Sequence, residues 1–152
     1  MRTLFAVTPG TEGALPQFVP VDAQPPSESA PMTVLLVDDD DQVRGLCRGL
    51  LAANGFRVLE AHNGLEALLI SVHQQGAIDL LVTDLVMPGI NGTELGWAFN
   101  RLWPGVNVLY MSGCPKETIG DQLPAHCVFL AKPFAPDALV QAVGSALVRG
   151  TH

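Results

Sequence analysis

From Met32 onward, short apolar runs alternate with stretches about a dozen residues long whose apolar residues recur at helical spacing. A run of β-branched residues and leucine bounded by turn residues suits a strand buried on both faces, and parallel strands need a crossover of helical length between them. The alternation therefore predicts βαβ units around one parallel sheet. The predicted strands are 33–37, 56–60, 79–83, 107–111 and 128–131. A first helix over 41–53 carries Val43, Leu46, Leu50 and Leu51 and stops at Asn54-Gly55. Asn63 caps a second, expected to turn Leu65, Leu68, Leu69 and Val72 inward and to end near Gln75-Gly76. A third opens at Thr93 and stops before Pro104-Gly105. The fourth, confined between Pro115 and Pro124, must be short, and the fifth holds Pro136 in its first turn and ends near Val148.

Two of these strands deliver acids. Asp38 to Asp41 follow the first, and a lone Asp84 follows the third. In open α/β sheets the carboxyl ends of the strands form the ligand-binding edge. Carboxylates gathered there repel by roughly 4 kcal/mol per pair at about 4 Å and an effective dielectric near 20, so the arrangement calls for a cation. Magnesium fits: it takes one or two carboxylates and keeps its other positions for water and a phosphate. Capping of the first helix accounts for Asp40 or Asp41, since helices favour acids in their first turn. It leaves Asp38, Asp39 and Asp84 unexplained.

Length and charge narrow the function. At 152 residues the chain provides one domain's worth of core. A net charge of −7 with no basic stripe argues against direct binding of nucleic acid, which depends on cations that neutralise phosphates. Cys47, Cys114 and Cys127 lack CxxC spacing, and His62, His73, His126 and His152 are scattered, so no disulfide framework or zinc site is indicated. A reducing cytoplasm is expected. Residues 1–31, with Pro9, Pro16, Pro20, Pro25, Pro26 and Pro31 among Thr, Ser, Gly and Glu, have the composition of a tail or linker. Leu4 to Val7 is too short an apolar run for a signal-peptide core, and no membrane-spanning run is present.

Four segments, in order and each at a strand end, resemble the receiver domain of two-component response regulators. They are Leu35-Leu36-Val37-Asp38-Asp39-Asp40, Thr83-Asp84-Leu85-Val86-Met87-Pro88-Gly89-Ile90-Asn91-Gly92, Met111-Ser112-Gly113 and Lys132-Pro133-Phe134. The resemblance covers 32–149, leaves 150–152 as a short tail, and implies a flavodoxin-like (βα)5 three-layer sandwich with a five-stranded parallel sheet of order 2-1-3-4-5. Tyr110-Met111-Ser112-Gly113 and the abbreviated segment after it look most like receivers appended to hybrid sensor histidine kinases.

The resemblance also implies roles. Asp84 would be the phosphoacceptor, taking its group from a phosphohistidine on a histidine kinase or histidine phosphotransfer protein. Mg2+ would be bound by Asp39, Asp84 and the backbone carbonyl of Val86, with Asp38 acting through water. Lys132 would pair with Asp84 and then with the phosphoryl group, to which Ser112 would also donate. In the family the Lys-Pro bond is usually cis, and an aromatic three residues before the lysine, here Phe129, turns inward on activation. Phe129 lacks the tyrosine hydroxyl common at that place, so packing alone would drive its movement, and a plain core role for it is the alternative. The resemblance implies a phosphoacceptor that signals through a partner protein rather than an enzyme with turnover, and it leaves dimerisation open. The segment from Gly113 to Cys127 departs from the family in being short and broken by Pro115, Gly120 and Pro124, which puts the usual output face in doubt. A phosphatase of the haloacid-dehalogenase kind also uses a strand-end Asp with Mg2+, but it wants an acid two residues after the nucleophile, where this chain has Val86. A third alternative is a receiver that keeps the fold and signals without phosphate.

Overall fold

The structure, a computed structural model, describes residues 30–120, 123–124 and 127–149. The expected tails 1–31 and 150–152 fall outside these residues apart from Ala30 and Pro31. Five strands alternate with five helices: β1 Thr33–Val37, α1 Asp41–Ala53, β2 Arg57–Ala61, α2 Gly64–His73, β3 Leu80–Asp84, α3 Gly92–Leu102, β4 Asn107–Ser112, α4 Lys116–Ile119, β5 Val128–Ala131 and α5 Pro136–Arg149. All pairings are parallel and the strand order is β2-β1-β3-β4-β5. This is the flavodoxin-like arrangement expected. Strands β2 and β3 each begin and end one residue later than predicted, so Asp84 is the last residue of β3.

The strand period of two divides each buried run between two cores. Val34 and Leu36 of β1 join Leu80 and Val82 of β3 under Cys47 and Leu51 of α1 and Leu139 and Val143 of α5. Leu35, Val37 and Leu81 face the other way, under Ala67 of α2 and Leu95 and Phe99 of α3. Every residue of β1 and β3 is buried, as a parallel sheet covered on both faces requires. A smaller cluster of Leu85, Tyr110 and Ile119, with Phe129 packed against it, lies toward α4.

The inner face expected of α2 is overturned at three of its four residues, while Leu68 packs partly buried against the second core. Leu65, Leu69 and Val72 point outward at 60–62% exposure, and α2 instead buries Gly64, Ala67 and Ser71. Small residues let that helix lie close to its neighbours: a Cβ at Gly64 would meet Ile90 Cβ at 2.7 Å, and Ser71 Oγ accepts a hydrogen bond from Trp103 Nε1 at 3.0 Å. Leu46 of α1 is likewise 60% exposed, and the buried face is Arg44, Cys47 and Leu51. Asn63 caps α2 as predicted, accepting from Glu66 N. In α3, Asn91 and Glu94 form a reciprocal capping box that starts the helix at Gly92, one residue before the predicted Thr93.

Candidate functional site: a carboxylate cluster facing a buried lysine

The carboxyl ends of β1, β3, β4 and β5 line one edge of the parallel sheet, where side chains from the ends of β1, β3 and β5 converge. After β1, Asp38 is fully buried; its Oδ1 accepts from Asp40 N at 2.9 Å, which folds the chain back into α1. Asp40 is the N-cap, accepting from Gln42 N and Val43 N, and Asp41 pairs with Arg44. Asp40 is thus used as the cap, while Asp41 stands in the first helical turn as the partner of Arg44. Asp39, between Asp38 and Asp40, is exposed.

At the end of β3, Asp84 is 8% exposed. Its carbonyl accepts from the Thr83 hydroxyl at 2.9 Å, and Leu85 N donates to Met111 O at 2.9 Å, so the chain beyond it stays tied to the neighbouring strand. Gly92 N then donates to Leu85 O at 2.9 Å. A Cβ on Gly92 would collide with the Asp84 carbonyl oxygen, which is why the loop returns to this point on a glycine.

Lys132 enters from the end of β5, where its backbone N–H donates to Ser112 O at 2.8 Å. Its Nζ donates to Asp38 Oδ2 at 2.8 Å and lies 3.3 Å from Asp84 Oδ1. The Lys132–Pro133 bond is cis, as the family pattern implied. Asp38, Asp39 and Asp84 each offer a carboxylate oxygen within 4.8 Å of the others. Oxygen ligands at about 2.1 Å from one magnesium ion are at most about 4.2 Å apart, so this all-oxygen, half-buried set fits a hard dication with little movement.

One ammonium among three carboxylates leaves the cluster net negative, and the titration of its members follows. Burial alone favours the neutral amine of Lys132, but its hydrogen bond to Asp38 and the charges of Asp84 and Asp38 outweigh it and raise its pKa. Burial pushes the Asp84 carboxyl above its usual range; the Lys132 ammonium opposes this, and Asp38 and Asp39 add to it. The two directions are compatible, because the lysine has two carboxylates to itself while Asp84 shares one ammonium with two like charges.

Ser112 is buried at the end of β4, one residue beyond Met111, the register partner of Asp84. Its Oγ accepts from Cys114 N at 3.0 Å, a bond that does not use the hydroxyl proton. Val86 is 64% exposed, two residues past Asp84. Phe129 stands apart: it pairs in register with Tyr110, two rungs below the Ser112–Ala131 pair, and is partly buried against the Leu85 and Tyr110 cluster. Two residues beside the site carried no expectation. Arg44 holds the loop after β1, donating to the Asp38 carbonyl, and Tyr110, two residues before Ser112 on β4, packs with Leu85 and Ile119 and sets its hydroxyl against Gly96 of α3. An arginine on the otherwise apolar face of α1, three residues after an acid, was the available signal for the first; the second stood in the Tyr110-Met111-Ser112-Gly113 segment with no role attached to it.

The sequence profile of the response regulator receiver domain matches residues 34–144. The chain is 36% identical over 121 residues to the sensor kinase CckA of Brucella abortus (strain 2308), covering 78% of this chain and 13% of that protein. It is 33% identical over 121 residues to the transcriptional regulatory protein CpxR of Escherichia coli (strain K12), covering 78% and 50%. It spans at most half the length of these curated relatives. Among solved structures, the receiver domain of the hybrid histidine kinase CckA has a TM-score of 0.65 at 36% identity, covering 76% of this chain and 98% of that one. A response regulator receiver protein from Sinorhizobium medicae WSM419 has a TM-score of 0.72 at 25% identity, covering 79% and 97%. No helix among the described residues is long and apolar enough to cross a membrane. With a profile match that runs from β1 into α5, over the same strand ends that carry the acids and the lysine, the chain belongs to the response regulator receiver domain family of two-component signalling.

Proposed function

We propose that this chain takes a phosphoryl group from a phosphohistidine of a histidine kinase or histidine phosphotransfer protein onto Asp84, and signals by a conformational change that a partner protein reads. The observation that carries this is the position of Lys132 Nζ, within 2.8 Å of Asp38 and 3.3 Å of Asp84. A cation so placed makes a crowded carboxylate edge tolerable and faces the atoms where further negative charge would arrive. A structural salt bridge would need one acid partner, not an edge of three.

In this reading an Asp84 carboxylate oxygen attacks phosphorus, the P–N bond breaks, and the imidazole leaves with the electron pair and takes a proton. Phosphoryl transfer asks mainly for in-line positioning and for positive charge around the equatorial oxygens. Lys132 would follow the charge from the Asp84 carboxylate to the phosphoryl oxygens, and the Ser112 hydroxyl would donate to another of them. Mg2+, held by Asp39, Asp84 and the Val86 carbonyl with Asp38 through water, would supply Lewis-acid neutralisation of the incoming group. Phe129 would respond by packing, beside Tyr110. Residues 32–149 form the receiver, 1–31 a tail or linker and 150–152 a short tail; the chain would work in the cytoplasm, with no direct nucleic-acid partner.

Treatment with a small-molecule phosphodonor and Mg2+, followed by intact mass, tests the assignment. A gain of one phosphoryl mass that disappears in Asp84→Ala is expected. Absence of any gain with donor and metal present would defeat it.

A further inference from the structure

We infer that Arg44 is a positioning residue for the metal-binding acid loop, an inference that rests on the function proposed above. Arginine is rarely buried unless its donors are matched, yet Arg44 is 7% exposed on the inner face of α1. Its planar fork reaches three elements at once. Nη1 donates to the Asp38 carbonyl at 2.8 Å, Nη2 to Asp41 Oδ1 at 2.6 Å and Nε to Glu60 Oε1 of β2 at 3.2 Å. The other oxygen of Glu60 is held by Arg48 Nε at 3.1 Å, which anchors the network in the sheet edge.

The Asp38 carbonyl belongs to the peptide that leads into Asp39. Holding it fixes the direction in which the Asp39 side chain leaves the backbone, while the Asp38 carboxylate is fixed separately by Asp40 N and Lys132. Arg44 therefore acts on the exposed acid of the cluster through the main chain, without touching metal or substrate. Its charge is matched locally by Asp41 and Glu60, so its contribution to the loop is geometric. Electrostatics and geometry then predict opposite signs. Removing a positive charge near the cluster would tighten binding of a dication by Coulomb attraction, whereas loss of the tether would weaken it. Groups that orient metal ligands from one layer out typically account for 10–100-fold in affinity.

The test is Mn2+ binding to the full chain, read by loss of the free-ion signal in electron paramagnetic resonance and confirmed by Mg2+ competition. Arg44→Gln is expected to weaken Mn2+ on the order of tenfold, and Arg44→Lys, which keeps the charge but cannot span three acceptors, to weaken it as well. Phosphodonor-driven mass gain should fall in both at limiting Mg2+ and recover at saturating Mg2+, with circular dichroism showing the variants folded at both Mg2+ levels, which separates weakened metal binding from a loss of folding that metal would also reverse. Affinity equal to or tighter than that of the unaltered protein in folded Arg44→Gln overturns the inference. If that variant does not fold, unchanged affinity in Arg44→Lys overturns it. Failure of the unaltered protein to bind Mn2+ or to gain phosphoryl mass would sink the proposed function itself, whereas normal behaviour with indifferent variants sinks only the role of Arg44.

Discussion

Lys132 Nζ lies closer to Asp38 Oδ2, at 2.8 Å, than to Asp84 Oδ1, at 3.3 Å, so the lysine is anchored on the fully buried acid and leans toward the proposed phosphoacceptor. Replacing it with methionine leaves Asp38 facing Asp84 with no cation between them. Breaking one side of a buried pair costs about 3–5 kcal/mol; Asp38 keeps its bond from Asp40 N, so Lys132→Met should sit near the lower end, at about 3 kcal/mol. Urea unfolding without metal measures this. Saturating Mg2+ should shrink the deficit, because a dication replaces the missing charge, and an equal deficit with and without metal would contradict a shared site.

Burial holds the Asp84 carboxyl above its usual range. In the unfolded chain it ionises near pH 3.9. The folded protein therefore binds the proton more tightly, and ionising Asp84 costs stability as pH rises from about 3.9 through the raised folded value. Metal-free Asp84→Asn should be more stable than the unaltered protein at neutral pH, and the gap should close as pH falls through that window. Mg2+ competes with the same proton, so its apparent affinity should drop over the same range. A pH-independent gap in parallel urea titrations would remove burial as the dominant effect on this group.

The strand ends were legible because parallel strands buried on both faces leave continuous apolar runs, and the residues that follow must do something other than pack. Asp38 and Asp84 fall at such ends, and Ser112 and Lys132 at the ends of β4 and of the shorter, less buried edge strand β5. Helix faces were less legible. Helix α2 carries four aliphatic residues at helical spacing, yet Leu65, Leu69 and Val72 lie outside and Ala67 and Ser71 inside. Periodicity shows that a helix has two faces, while the room beneath it decides which one packs, and that room is set by Ile90 and Trp103 from elsewhere in the chain. Arg44 escaped notice for a related reason: a charged residue reads as solvated until three acceptors from separate elements converge on it.

The outward face of α2 yields a direct test. Leu69→Gln removes a side chain that is 62% exposed and should change stability by no more than about 0.5 kcal/mol. Phe99→Ala, at a fully buried position of the same layer, should cost about 3–5 kcal/mol. Denaturant midpoints for both variants, compared at constant slope, give the contrast. A large loss in Leu69→Gln would mean that the helix is rotated from the observed face.

Gly89, in the loop between β3 and α3, and Gly92, the first residue of α3, separate conformational from steric demands. Gly89 has φ +75° with open space around it, so Gly89→Ala should cost about 1–2 kcal/mol for the left-handed backbone alone. Gly92 has no unusual φ, but a Cβ there would meet Leu85 Cα at 2.8 Å and collide with the Asp84 carbonyl. Forcing backbone apart costs about 1–3 kcal/mol, and here it displaces the peptide of Asp84, the proposed phosphoacceptor. Gly92→Ala should therefore lose phosphoryl uptake along with stability, whereas Gly89→Ala loses mainly stability. Urea unfolding and donor-driven mass gain on the same two samples decide it.

Tyr110 is the single tyrosine of the chain and is 2% exposed, with its hydroxyl set against Gly96 of α3. Burial pushes its pKa up to about 12. An unfolded tyrosine ionises near 10, so between about pH 10 and that value the unfolded chain gives up its proton first and stability falls, by roughly 2–3 kcal/mol in all. Tyr110→Phe should abolish this alkaline loss, and tyrosinate absorbance, unambiguous with one tyrosine, should follow unfolding rather than precede it. The same hydroxyl makes Gly96→Ala intolerable, since a Cβ there would collide with it and meet Cζ at 2.9 Å. Removing the hydroxyl relieves the first clash and leaves the second. The double variant Tyr110→Phe with Gly96→Ala should consequently recover part of the stability lost in Gly96→Ala, a favourable coupling on the order of 1 kcal/mol in a double-mutant cycle. Strict additivity of the two losses would show that the hydroxyl does not press on α3.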